Sequence, residues 1–312
     1  MYLNLPNGTE LIFKNADDAT NYISGLERKV ITTSPENLVV KNNGRTLSLL
    51  AEGKSFPIRL SFLHKLLKWY NFPLGQIRYL DVETITSILN DYLINIKSSS
   101  VNVTLEDNQA LTITSDRYGN IEDLELIKHV KPLGILMIMK NDFMTSIITE
   151  TKEKVIPYPN DEFGIGISMF NSETGFRAFT INSYLLRYTC SNGAYIKSNN
   201  SEKKYYHYDL NIPMIYEEVE QSIKKLAEEK EHLKERIAML KEARDFEKTK
   251  EKVIEIMIRK IGKKRTEKIF VYSDDIKNNY DLFNHITFKA KEFEISTRIM
   301  LEEIAGELLF FN

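Results

Sequence analysis

Between Phe163 and Lys197 the chain reads FGIGISMFNSETGFRAFTINSYLLRYTCSNGAYIK, and this stretch constrains the fold more than any other. Ile165, Ile167 and Met169 alternate with Gly166 and Ser168, the period-two signature of a strand with one buried face. Asn171-Ser172-Glu173-Thr174-Gly175 is turn chemistry, after which Phe176, Ala178, Phe179 and Ile181 resume the apolar content. Ser183 is a good N-cap residue. Beyond it Tyr184, Leu185, Tyr188 and Cys190 take helical spacing, and Asn192-Gly193 predicts a left-handed helix end. The expectation is strand, turn, strand and short helix, with Arg177 and Arg187 flanking the unit.

At 312 residues and 42% hydrophobic content the chain can bury a sizeable core, in one large or two smaller domains. Lys and Arg number 42 against 44 Asp and Glu, a formal charge of −2, which excludes coating of nucleic acid by bulk charge but not a local basic groove. The single cysteine, Cys190, excludes an internal disulfide framework and a cysteine-rich zinc site, and fits a reducing compartment. The amino terminus has no basic n-region, and no apolar run reaches the roughly 18 residues of a membrane span. A cytoplasmic chain without membrane contact is the expectation.

The segments around that unit predict an α+β protein. Asn7-Gly8 and Asn43-Gly44 are hairpin-type turns, Asp17 to Leu26 has helical spacing, and Leu38 to Leu50 suggests flanking strands. SFLHKLLKWYNFPLG and DVETITSILNDYLINI read as helices separated at Pro73 to Gly75. Val101 to Ile113 alternates around Asp107-Asn108, a turn and helix follow from Ser115, and PLGILMIM from Pro132 is apolar enough for a buried strand. Residues 1–213 are therefore expected to form an α+β domain with a mixed antiparallel sheet and helices. Residues 214–312 are expected to be helical and coiled-coil-like. Val219, Ile223, Leu226, Leu233, Ile237 and Leu240 follow heptad steps, with Lys230 in one apolar slot. That stripe predicts homo-oligomerisation through a 216–240 helix, or docking on a host protein. Ile286 to Phe311 reads as one further amphipathic helix.

Two segments taken together carry a family likeness. Thr114-Ser115-Asp116-Arg117-Tyr118-Gly119-Asn120-Ile121 is similar to a Ser-Asp-Arg-Tyr element before a helix. Asn171-Ser172-Glu173-Thr174-Gly175, followed by Leu186-Arg187-Tyr188-Thr189-Cys190-Ser191-Asn192-Gly193, is similar to an Asn-Ser-Glu-x-Gly turn and an Arg-x-x-Cys-x-Asn-Gly end. In this order and separation they resemble an uncharacterised phage- and plasmid-type family, domain of unknown function 932. The likeness spans roughly residues 60 to 210, and Tyr205-Tyr206-His207-Tyr208 departs from the basic-and-histidine segment such proteins carry. The resemblance implies a mobile-element context, and the host cytoplasm for a phage-encoded copy, without implying a reaction.

Catalytic motifs are absent from the sequence. Cys190 has no base marked beside it, so packing accounts for it better than nucleophilic chemistry. His64, His129, His207, His232 and His285 are far apart, with no zinc-hydrolase spacing. Gly164-x-Gly166 lacks the third glycine and the lysine of a phosphate loop. The expectation leans to a protein that acts without catalysis, with no metal and no cofactor, and a nuclease or a cysteine-dependent hydrolase stays open as a third alternative.

Binding of single-stranded nucleic acid needs cations for phosphates and flat side chains for bases. Lys197, Lys203, Lys204, Tyr205, Tyr206 and His207, with Tyr208 beside them, supply both in one stretch, and Arg177 and Arg187 flank it. Lys65, Lys68, Trp69, Tyr70, Arg78 and Tyr79 form a second mixed cluster. Lys260, Lys263, Lys264 and Arg265 form a third basic patch without aromatics. The leading expectation is single-strand binding in annealing or replication, with the carboxy-terminal helices assembling protomers. The predicted strand-strand-helix unit, with Leu133 to Met139 as a first strand, is also similar in layout to the β-β-β-α arrangement of single-strand annealing proteins. The rival is a protein-interaction or inhibitor module that engages a host factor through Leu233 and Ile237.

Overall fold

The computed structural model describes residues 3–310 except 7, 9, 151–153, 160, 189–191, 197–202, 209, 243–244 and 272–274. The chain runs β1 (Leu11–Phe13), α1 (Ala16–Ser24), β2 (Arg28–Thr33), β3 (Val39–Asn42), β4 (Leu47–Ala51), β5 (Lys54–Pro57), α2 (Leu60–Trp69), α3 (Val82–Ile94), β6 (Val101–Glu106) and β7 (Gln109–Ser115). It continues through α4 (Asp123–Val130), β8 (Ile135–Lys140), β9 (Thr145–Thr149), β10 (Lys154–Tyr158), β11 (Asp161–Asn171), β12 (Phe179–Arg187), β13 (Asn192–Ile196) and β14 (Lys203–Tyr205). Then follow α5 (Ile212–Glu242), α6 (Phe246–Ile261), α7 (Lys263–Phe270), α8 (Asn279–Ala290) and α9 (Ile295–Glu307). Antiparallel sheets in the amino-terminal part and helices in the carboxy-terminal part make this an α+β fold.

Local chemistry sets many of these boundaries. Asn15, Asp81 and Asn278 each cap a helix by accepting from a backbone N–H three residues on, at 2.8, 2.7 and 2.9 Å. Asp107 and Asn108 take positive φ of 50° and 59°, which turns β6 into β7 with a twist that suits a hairpin. Of the predicted turn at Asn7-Gly8, the first residue lies outside the described set.

Two main cores result, with a smaller cluster on the far face of the large sheet, and the chain starts with Leu3 and Leu5 packed against the smaller of the two before it enters the larger. β1 and α1 belong to the larger core, since Leu11 pairs with Lys140 of β8 and Ala19 and Ile23 join Leu126 and Val130 of α4. The chain then leaves at Arg28 and builds the smaller core from β2-β6-β7, β3-β4-β5, α2 and α3. It returns after Ser115 to complete the larger sheet, ordered β1-β8-β9-β11-β12-β13, with β10 on β11 and β14 on β12.

Alternation along β11 and β12 gives that sheet two buried faces. Ile165, Ile167, Met169, Ile181 and Leu185 face the helices α4, α5, α6 and α8. On the opposite face Phe170, Tyr184 and Tyr195 pack with Ile295 and Ile299 of α9. The residues on either side of position 213 therefore share one core.

Three expectations change here. Where a helix was expected from Ser183 to Asn192-Gly193, the described residues form the second half of β12 and, from Asn192, β13, with Tyr184 opposite Tyr195 and Leu186 opposite Gly193. Burial of both faces of β12 places apolar residues at consecutive positions, which imitates helical spacing. Gly193 serves close approach rather than a helix end, because a Cβ there would stand 1.6 Å from the Tyr184 hydroxyl. The layout likeness to β-β-β-α annealing proteins loses its helix with this change. Second, the heptad stripe lies inside the chain's own core: Val219, Leu233, Ile237 and Leu240 are at most 4% exposed. The side chains of Ile223 and Leu226 lie outside the described set. An amphipathic helix laid on a sheet needs the same apolar spacing as a coiled coil, so the pattern alone does not separate them. Third, the final predicted helix is two helices, α8 and α9.

Candidate functional site

The hairpin turn between β11 and β12 approaches α2 of the smaller core, and a groove of about 800 Å³ opens beside the contact. Its walls include Lys65, Tyr118, Phe143, Phe176, Arg177, Lys204, Tyr206, His207 and Tyr208. A second hollow, lined by His64, Lys68, Asn71, Phe72 and Leu74, shares Phe143 and Phe176 with the first. Those two shared rings meet edge to face at 5.0 Å. Lys68 stands 5.5 Å above the Phe176 ring, and Lys65 lies 5.6 Å from it.

Segments far apart in sequence build the floor. Tyr118 donates its hydroxyl to the Ser172 carbonyl at 2.5 Å and stacks on His207 at 4.9 Å. Tyr118 and Tyr208 form an antiparallel bridge, and the Arg117 guanidinium lies 4.1 Å from the Tyr208 ring. The Ser-Asp-Arg-Tyr and Asn-Ser-Glu segments therefore meet at the groove. Gly175 has φ +74°, and a Cβ there would stand 2.3 Å from the Lys65 ammonium. A side chain at that position would be strained and would also displace Lys65.

The residues expected to bind nucleic acid divide by strand alternation. On β14, Lys204 stands opposite Thr180, a residue of the groove wall, and points with Tyr206 into the groove. Tyr206 is 69% exposed, with its ring 5.4 Å from the Lys204 ammonium. Lys203 and Tyr205 point the other way. Lys203 is ion-paired to Glu218 of α5, and Tyr205 packs half-buried beside Phe179. Arg187, at the far end of β12, pairs with Asp161 at 2.6 Å. Arg177 does line the groove, but its guanidinium pairs with Glu303 at 3.0 Å and lies 3.7 Å over Phe170. His207 is 8% exposed, with Nδ1 hydrogen-bonded to the Gly119 carbonyl, so it forms wall rather than contact surface. Lys197 and Cys190 lie outside the described residues.

The second cluster divides in the same way. Lys65 and Lys68 reach the groove, whereas Tyr70 stacks on Tyr92 at 4.0 Å and donates to its carbonyl. Tyr79 is exposed beside Arg78, away from the groove lining. In the third patch Lys260 pairs with Glu307 and Arg265 with Glu294, both at 3.0 Å. Phe143 and Phe176 were not legible as site residues, because single phenylalanines in apolar surroundings carry no binding signature.

Burial shifts the titrating groups of the groove. Lys65, 7% exposed, is pulled down to about 8 by desolvation and then by the Lys68 charge. Desolvation also lowers His207 and raises Tyr118, the latter helped by the carboxylates of Glu173 and Asp123.

Behind the groove, charges join the two cores in an alternating chain. Asp142 meets Arg59 at 3.1 Å, Arg59 and Arg28 both meet Glu106 at 2.8 Å, and Arg28 meets Glu173 at 2.8 Å. Lys140 then links Glu173, at 3.4 Å, to Asp123, at 2.5 Å. These residues enclose about 230 Å³. Burial disfavours the Asp123 carboxylate, but Lys140 and hydrogen bonds from Lys140, Thr145 and Asn171 outweigh it and hold the group well below the usual carboxylate range. Each cation touches a carboxylate, so the chain is an internal joint.

Among the described residues no group of three or more His, Cys, Asp or Glu side chains is placed to hold a metal ion. No helix of the described residues is long and apolar enough to cross a membrane. Fold and groove define an α+β protein with a cationic, ring-lined trough between two cores. No family model, curated protein or solved structure matches the chain.

Proposed function

We propose that this protein binds single-stranded nucleic acid along the trough and acts without catalysis, in the annealing or replication of a mobile element. One observation carries the reading. Lys65 and Lys68 on α2, and Lys204 on β14 with Tyr206 and Tyr208 just after it, are more than 130 residues apart in sequence yet line two hollows that share Phe143 and Phe176. Cations beside accessible rings are what a flexible strand recognises: phosphates take the ammonium groups and unpaired bases stack on the rings, each stack worth about 1–3 kcal/mol. A duplex hides its base faces and would use the cations alone.

Mobility-shift titration with a single-stranded oligonucleotide and its duplex tests the proposal. The expected result is tighter binding of the single strand, weakened by salt, and strongly reduced in Lys68→Glu with Lys204→Glu. Equal affinity for strand and duplex, or indifference to both charge reversals, contradicts it.

A further inference from the structure

Lys65 differs from the other buried cations of this region. Arg177, Arg187 and Lys203 each face a carboxylate, and so do Arg28, Arg59 and Lys140 in the joint behind the groove. Lys65 is as buried as Arg59 and Lys140, at 7% exposed, yet among the described residues its ammonium forms no ion pair. It donates to the Gly175 carbonyl at 2.7 Å, with the Tyr118 and Phe176 rings 5.8 and 5.6 Å away. A lysine ammonium has three donors, so one carbonyl leaves two unused. Holding a buried charge against one neutral oxygen costs stability, and Lys68 on the next turn of α2 adds like-charge repulsion. Gly175, which has no Cβ, leaves the space that the ammonium occupies.

We propose that Lys65 is the phosphate anchor of the groove, its two unused donors completed by the non-bridging oxygens of one phosphodiester held between Tyr118 and Phe176. The inference rests on the single-strand reading above and gives that reading a specific contact. The strand supplies the missing anionic partner, so bound strand stabilises the ammonium form. The charged and titratable groups that share the groove with Lys65 are Lys68 on its own helix, Tyr118, His207, Lys204, Tyr206, Tyr208, and Arg177 with its partner Glu303. Between about pH 7 and pH 9 His207 stays neutral because burial lowers it, and Tyr118 stays neutral because burial raises it. Lys65 loses its proton within that interval.

The test is fluorescence anisotropy of a short labelled oligothymidylate against the full chain and two variants. Expected for the native protein is about a tenfold loss of affinity from about pH 7 to about pH 9, the change in ammonium fraction for a group titrating near 8. Lys65→Gln is expected to bind about tenfold more weakly at pH 7 and to lose the pH response. Lys65→Arg is expected to keep the neutral-pH affinity and also to lose the pH response, because a guanidinium keeps its proton throughout. Inorganic phosphate at matched phosphate concentration is expected not to displace the strand, and displacement as effective as by unlabelled oligonucleotide overturns a strand anchor. Native-protein binding that is indifferent to pH overturns the inference even if neither variant folds. Strand binding with Lys65→Gln equal to the native protein overturns this inference alone, whereas absence of all binding overturns the groove reading with it.

Discussion

The ammonium of Lys65 on α2 donates to the carbonyl of Gly175 at 2.7 Å, and this contact crosses from the smaller core to the hairpin turn of the larger one. It sits where two sequence clusters of cations and rings come to share Phe143 and Phe176. The consequences can be tested separately from the binding experiments above.

Groove cations and carboxylate-paired cations should separate in salt titrations. Lys68→Gln and Lys204→Gln should each weaken strand binding and lower the slope of log affinity against log salt by about 1. Arg187→Gln and Lys203→Gln should leave that slope unchanged, because Asp161 and Glu218 already neutralise those groups. The comparison is made by repeating the titration at several salt concentrations.

Much of the fold was legible in local signals, and the reasons are specific. The spacing from Asp17 to Leu26 announces a helix, Asp107-Asn108 announces a hairpin, and Ile165, Ile167 and Met169 announce a strand by alternation. Tyr184 to Gly193 misled because a strand buried on both faces has no polar alternation to reveal its period. The lysine-tyrosine cluster at 203–208 was visible as composition, but which of its members share a face depends on the register of β14 against β12. Pairing of Arg177 with Glu303, 126 residues away, depends on how α9 packs on the sheet. No spacing rule encodes such a contact.

Removing the Lys65 charge should change stability with a definite sign. Its folded-state value lies below the unfolded one, so the unfolded chain holds more protons between about pH 8 and pH 10, and stability conferred by this site rises with pH there. Lys65→Met should therefore compare most favourably with the native protein near neutral pH, and lose that advantage towards pH 10. Urea unfolding at several pH values measures this. An advantage that grows with pH would contradict the assignment of a desolvated ammonium.

The alternating charge chain should behave as a joint between the cores. Asp123→Asn leaves Lys140 facing Glu173 alone, and losing one partner of a buried pair costs about 3–5 kcal/mol. Asp123 and Glu106 are held below the usual carboxylate range, so their contribution is complete above about pH 5 and is lost as pH falls through their folded values. Burial raises Glu173 and Asp142, and these work in the opposite direction. Chemical denaturation should show native stability declining below about pH 4, with a flatter decline in Asp123→Asn.

The stripe on α5 should report on folding. Leu233 and Ile237 are 2% and 0% exposed within the chain's own core, so Leu233→Ala should cost about 2–5 kcal/mol. Sedimentation velocity should give the same mass distribution for Leu233→Ala and the native chain. A shift to smaller species without loss of stability would show that this stripe joins protomers instead.

The account depends on one strand lying in the trough around Phe143 and Phe176. Photo-crosslinking of a halogenated single-stranded oligonucleotide, with the adducts mapped by peptide mass spectrometry, tests this most directly. Adducts on Phe176, Tyr206 and Tyr208, reduced in Lys68→Glu with Lys204→Glu, are the predicted result. Adducts confined to the 260–265 basic segment, or equal labelling of scattered surface tyrosines such as Tyr79, would contradict it.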